Sequence, residues 1–136
     1  MKRGIVFGVT VLVIGAAGAE NLQGVDKMIC STGGQVQICL EDGDCYSTVP
    51  WELDIPEFVV IDTKKNTIST TKASGENRST TFGRVEKTAG LIYLQGIDRG
   101  RAFSFVIHEQ TGRMTVAVSR DGISVTVFGA CTDTDI

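Results

Sequence analysis

The sequence predicts an all-β fold: a single antiparallel meander, closed or nearly closed into an up-and-down barrel, with a two-sheet sandwich as the alternative. Three observations lead there. Residues 111–132 read T-G-R-M-T-V-A-V-S-R-D-G-I-S-V-T-V-F-G-A-C-T, two alternating runs around a turn dipeptide. Further short β-prone runs are separated by Gly-, Asp- and Asn-containing turns. After the N-terminal apolar run, no segment of ten or more residues carries helical periodicity.

The hairpin can be registered from its sequence. Asp121-Gly122 suits a two-residue type I′ turn, which needs positive φ at both positions. Such a turn sets Val118 against Val125, Val116 against Val127 and Met114 against Gly129 on one face, with Thr115, Ala117 and Ser119 facing Phe128, Thr126 and Ser124 on the other. A one-residue slip would set valines against threonines, so pattern and turn agree. Cys131 shares the parity of Val125 and Val127 and is expected to point coreward.

At the N-terminus, Lys2 and Arg3 precede an apolar run from Gly4 to Gly18 and the small-residue site Ala17-Gly18-Ala19. That is the anatomy of a secretory signal peptide over residues 1–19, with cleavage expected between Ala19 and Glu20. The run is short of the ~20 residues a spanning helix needs and is rich in glycine. Residues 20–136 then form one small domain with eleven basic and sixteen acidic side chains, a net charge of −5. An acidic chain is a poor partner for nucleic acid or an anionic membrane surface, and no later stretch is apolar enough to insert in a membrane.

Four cysteines in an exported chain read as two disulfides. A zinc site is excluded by spacing, with no C-x-x-C pair and His108 the single histidine. Facing in the sheet favours Cys39 with Cys45 and Cys30 with Cys131. A three-residue turn at Glu41-Asp42-Gly43 puts Cys39 opposite Cys45. If Thr32-Gly33-Gly34 is also a three-residue turn, it reverses the chain and leaves Cys30 inward, opposite Val36. A two-residue turn at Gly33-Gly34 would face Cys30 outward, and the other two connectivities stay open on that ground.

In chain order, residues 20–24 read as a polar, frayed terminus and Val25–Ser31, Gln35–Leu40 and Asp44–Val49 as strands. Glu41, Asp42 and Asp44 crowd one turn, but they lack the D-x-D-x-D-G spacing of a calcium loop and read as a solvated hairpin tip. Pro50 and Pro56 bracket a crossing segment in which Trp51 reads as a core plug, with a ligand wall as the alternative. Strands follow at Glu57–Asp62, Thr67–Thr71, Thr80–Glu86, Leu91–Gln95 and Arg101–His108. Lys72–Ser79 is the longest loop and, being exposed on a rigid scaffold, the natural place for recognition.

No constellation for catalysis emerges. Glu109 follows His108 directly, and adjacent strand residues point to opposite faces, so it does not orient the imidazole. There is no G-x-S-x-G elbow and no Gly-rich phosphate loop. Asp98, Arg99 and Arg101 cluster at one turn, with Arg113 opening the next-but-one strand, a set that could hold a small anion but reads first as surface ion pairs.

The runs L-I-Y-L-Q-G, G-R-A-F-S-F-V-I, T-G-R-M-T and V-F-G-A-C-T, within residues 58–132, resemble a group of small exported proteins of Gram-negative bacteria. The resemblance implies a periplasmic setting and carries over no site residue. Ala73-Ser74-Gly75 is also similar to part of the S-A-S-G-x-x-Y loop of periplasmic lysozyme inhibitors, which are small disulfide-tied β-barrels; the tyrosine is missing here and Arg78 stands nearby.

The expectation is therefore a periplasmic or secreted, monomeric, non-enzymatic β-domain without cofactor or metal, binding a protein or a small-molecule ligand in the cell envelope. A purely structural envelope component is the alternative. A hydrolase or a lysozyme-inhibitor-like protein ranks below both. A hydrophobic cavity inside the barrel would favour a small ligand.

Overall fold

The computed structural model describes residues 21–134, so the expected signal peptide and its Ala19–Glu20 cleavage site lie outside the described residues. Among the described residues eleven strands form one antiparallel sheet: β1 (Lys27–Ser31), β2 (Val36–Leu40), β3 (Cys45–Thr48), β4 (Phe58–Asp62), β5 (Thr67–Thr70), β6 (Ser79–Thr81), β7 (Arg84–Thr88), β8 (Leu91–Asp98), β9 (Arg101–His108), β10 (Arg113–Arg120) and β11 (Ile123–Asp133). Short 3₁₀ turns at Pro50–Leu53 and Lys72–Ser74 are the only helical pieces among the described residues.

The ladder runs β6-β5-β4-β1-β11-β10-β9-β8-β7, and its two ends are successive pieces of one segment. Only Phe82 and Gly83 separate β6 from β7. The Phe82 N–H donates to Asn66 O beside β5, and the Gly83 N–H donates to Gln95 O of β8. Residues 79–88 therefore bridge both ends, and the sheet curls into a barrel. Two further pairs of pieces share a path. β1 and β2 both run antiparallel to β11, Cys30 opposite Cys131 and Val36 opposite Val127, while β3 and β4 return beside β2 and β1. The result is an eight-stranded up-and-down meander with broken strands.

The expected reversal at Thr32-Gly33-Gly34 does not occur. The chain does not turn back; it bulges between β1 and β2 and continues along the eleven-residue β11. Gly33 takes φ +67, and a Cβ on it would collide with the Phe128 carbonyl. The Thr32 N–H donates to Glu57 O (3.0 Å) and its hydroxyl to Pro56 O (2.9 Å), which fixes the bulge to the entry of β4. Cys30 is buried as expected, but it faces Cys131 and Val59 rather than Val36.

The β10–β11 register is the expected one, Val118 with Val125, Val116 with Val127 and Met114 with Gly129. Its turn differs in type: Gly122 has φ +80, but Asp121 is not at positive φ, the pattern of a type II turn. Positive φ at both positions occurs instead at Ala89-Gly90 and Arg99-Gly100. β8 accordingly runs on to Asp98, beyond the expected end at Gln95.

Inward alternation builds the core. Met28, Cys30, Ile61, Ile92, Leu94, Ile107 and Met114 are all nearly inaccessible. The expected frayed terminus does not occur either. Leu22 is 1 % exposed and its N–H donates to Glu109 O, so the N-terminal segment plugs the barrel end where β9 gives way to β10. Burying such a leucine contributes roughly 1.5–3 kcal/mol, which offsets part of the entropy cost of ordering the segment. The structure joins Cys30 to Cys131 inside the core and Cys39 to Cys45 at the tip of the β2–β3 hairpin.

Candidate functional site

Among the described residues, no side chain fills the barrel end opposite the Leu22 plug. A cavity of about 190 Å³ lies there, walled by inward side chains that include Val59, Ile68, Phe103, Phe105, Val116 and Val127. It is larger than the ~150 Å³ apolar cavity that suffices to hold a benzene-sized molecule. The wall is well defined on one side. Phe103 and Phe105 meet edge to face at 5.9 Å, and Gly96 opposite Phe103 has no side chain to displace its ring.

Ile55 and Pro56 cover the cavity from the segment that enters β4. Two anchors hold this cover. The Thr32 hydroxyl binds Pro56 O, as described, and Arg78 reaches Asp54 with Nη1 to Oδ2 (3.2 Å) and Nη2 to the backbone O (3.1 Å). Arg78 Nε also lies 3.0 Å from Glu76 Oε1; it is buried and off the axis needed for a hydrogen bond, so that contact is an ion pair alone.

The cavity opens into a polar mouth of about 370 Å³. Asp98 and Arg101 line both cavity and mouth, while Asp54, Arg78 and Arg99 line the mouth only. Arg101 Nη2 stands 3.5 Å from Asp98 Oδ2, and its Nε donates to Asp98 O (3.3 Å). Arg99 sits at φ +52 in the two-residue β8–β9 turn, where Asn, Asp or Gly would be unstrained. Asp54 has φ 58, so two of the four non-glycine residues at positive φ among those described stand at this mouth.

Of the expected anion set, Asp98, Arg99 and Arg101 come together, but Arg113 begins β10 at the plugged end and is no part of it. The Lys72–Ser79 loop contributes Asn77, Arg78 and Ser79 to the mouth, although its 72–74 portion is a 3₁₀ turn. Trp51 is neither core plug nor cavity wall, at 74 % exposed on its 3₁₀ turn. His108, at the far end of β9, accepts the Thr111 N–H on Nδ1 (3.2 Å) and lines no part of the cavity. Asp42 accepts the Asp44 N–H (2.9 Å), which closes the hairpin tip. Cys39 and Cys45 lie on the outer face, and Cys30 and Cys131 in the core, all four in disulfides. Among the described residues no group of three or more His, Cys, Asp or Glu side chains could hold a metal ion, and no helix is long and apolar enough to cross a membrane.

Fold and site together define an antiparallel β-barrel with an apolar cavity reached through a charged mouth. Comparison of the chain with family models, with curated proteins and with solved structures gives no match. The site is therefore read from its own chemistry.

Proposed function

We propose that this protein is an exported binding domain of the cell envelope that takes a small, largely apolar molecule into the open end of its barrel. The cavity carries the reading: wall residues from β4, β5, β9, β10 and β11 converge on a space that no described side chain fills. Close packing is the norm in protein interiors, and an unfilled apolar space forfeits contacts that an apolar ligand would restore. A purely structural role gives no reason to keep it. The export reading draws support from the signal-like N-terminus and from two disulfides, which persist in oxidising compartments. In this reading the domain holds its ligand without transforming it.

A neutral probe tests the cavity. Titration of ¹⁵N-labelled protein with 1-octanol is expected to shift, saturably, the amides of Val59, Phe103, Val116 and Val118. Val118 lines the cavity and is only half-buried, so Val118→Phe places its ring in existing space. That variant should lose at least ~10-fold in octanol affinity, equivalent to about 1.4 kcal/mol, while its unfolding midpoint stays close to wild type. Saturable binding that Val118→Phe leaves untouched would place the ligand elsewhere.

A further inference from the structure

We infer that the mouth selects an anionic headgroup, held by Arg99 and Arg101 at the β8–β9 corner, so that the occupant of the cavity is a small anionic amphiphile. This rests on the cavity reading above and adds the chemistry of the ligand's polar end.

The charged groups around the opening are Asp54, Glu76, Arg78, Asp98, Arg99 and Arg101. They divide into two sets. On the cover side, Arg78 is occupied by two acids, Asp54 and Glu76, and its work is to tie the cover down. At the β8–β9 corner two guanidinium groups share one carboxylate. Arg101 meets Asp98 in a long 3.5 Å pair, and Arg99 makes no ion pair or side-chain hydrogen bond among the described residues. The corner therefore carries one positive charge in excess.

A guanidinium presents five N–H donors in a fork that matches a carboxylate or phosphate. Among the described residues, the two corner arginines spend a single one of those donors, on Asp98 O. Arg101 also lines the apolar cavity itself. A ligand whose tail lies against Phe103 and Phe105 would thus bring its head directly to Arg101, with Arg99 at the rim. The backbone strain at Arg99 fits this placement. A turn that favours Asn or Gly carries instead a long cation with no partner among the described residues. Net charge runs against the local sign, because the chain beyond residue 19 is acidic, and a basic corner on an acidic protein is a local feature rather than a general one.

The test compares three eight-carbon probes on the folded protein at low ionic strength: octanoate, 1-octanol and octylammonium. Octanoate is expected to bind at least ~10-fold more tightly than 1-octanol, with octylammonium the weakest, and the gap should narrow as salt rises above ~0.1 M. In the Arg99→Gln, Arg101→Gln variant the octanoate advantage, read as the ratio of octanoate to octanol affinity in that same variant, should fall to within about twofold. Arg99→Gln alone, which breaks no contact, should lose part of the advantage and guards against a folding defect in the double variant. Octyl phosphate in place of octanoate separates the two headgroup chemistries, the tighter of the pair showing whether the corner prefers a phosphate or a carboxylate. Equal affinity for octanol and octanoate, or an octanoate advantage that survives the double variant, overturns the headgroup inference while leaving the cavity reading standing. Failure of all probes to bind overturns both.

Discussion

Gly129→Ala is expected to destabilise the barrel by the upper part of the ~1–3 kcal/mol typical of overpacking, or by more. Gly129 lies in β11 opposite the bulge between β1 and β2, where the chain presses against its neighbour. A Cβ there would fall inside the van der Waals envelope of the Ser31 carbonyl oxygen and 2.9 Å from Met114 Cε. The methionine can move; the carbonyl belongs to a strand tied on one side to β4 and on the other to β11. Gly34→Ala, in the same bulge but with nothing within 4 Å of its Cβ position and no positive φ, is the control and should change little. Urea midpoints of the two variants check the expectation. Equal midpoints would mean that the close approach at Gly129 does not exist.

The second large effect is expected from removing the core disulfide. Cys30 and Cys131 are 101 residues apart, so their bond closes nearly the whole barrel and constrains the unfolded chain by ~4.7 kcal/mol on loop entropy. Cys39 and Cys45 are six apart, and the same relation gives ~2.4 kcal/mol. The Cys30→Ala, Cys131→Ala variant should therefore lose clearly more stability than Cys39→Ala, Cys45→Ala. Burial widens the difference, since the first pair lies in the core and the second on the outer face of a hairpin tip. Denaturation of both double variants decides it. An equal or smaller loss for the core pair would contradict the account.

What the sequence revealed depended on how local the determinant was. The β10–β11 register follows from parity and one turn dipeptide, and the Glu41-Asp42-Gly43 turn likewise sets Cys39 against Cys45. Thr32-Gly33-Gly34 has turn chemistry as well, and Gly33 does take positive φ. Whether such a site reverses the chain or bulges it is decided by β11, which is long enough to pair with β1 and β2 end to end. That partner is roughly a hundred residues away, beyond any local pattern. Leu22 looked like part of a polar tail and Trp51 like core because their neighbours in sequence say nothing of the barrel end that one plugs and the solvent that the other meets. Gly129 did leave a signal, a lone glycine inside a strand pattern, which marks a bulge or a close backbone approach. The arginine corner was legible, but not the cavity beneath it. An unfilled volume is a deficit summed over five strands, and no one residue records it.

The pairing of β1 with β11 has a kinetic side. β7 to β11 are joined by turns of two to four residues, so each of their ladders closes a short loop. β1 gains its β11 neighbour only when a loop of about a hundred residues has been closed, an entropic cost that grows with length and slows non-local pairing. The expected order is a β8–β11 meander first and β1 last. Pulse-labelled hydrogen exchange during refolding of the reduced chain reads that order directly, and early protection of the Met28 or Cys30 amide would reverse it. Oxidation inherits the same timetable. Cys39 and Cys45 can meet as soon as their hairpin exists, whereas Cys30 must wait, unpaired and nine residues from Cys39, for a partner 101 residues further along the chain. A chain that oxidises too early risks the wrong partner, and correct barrels then depend on thiol–disulfide exchange to release it.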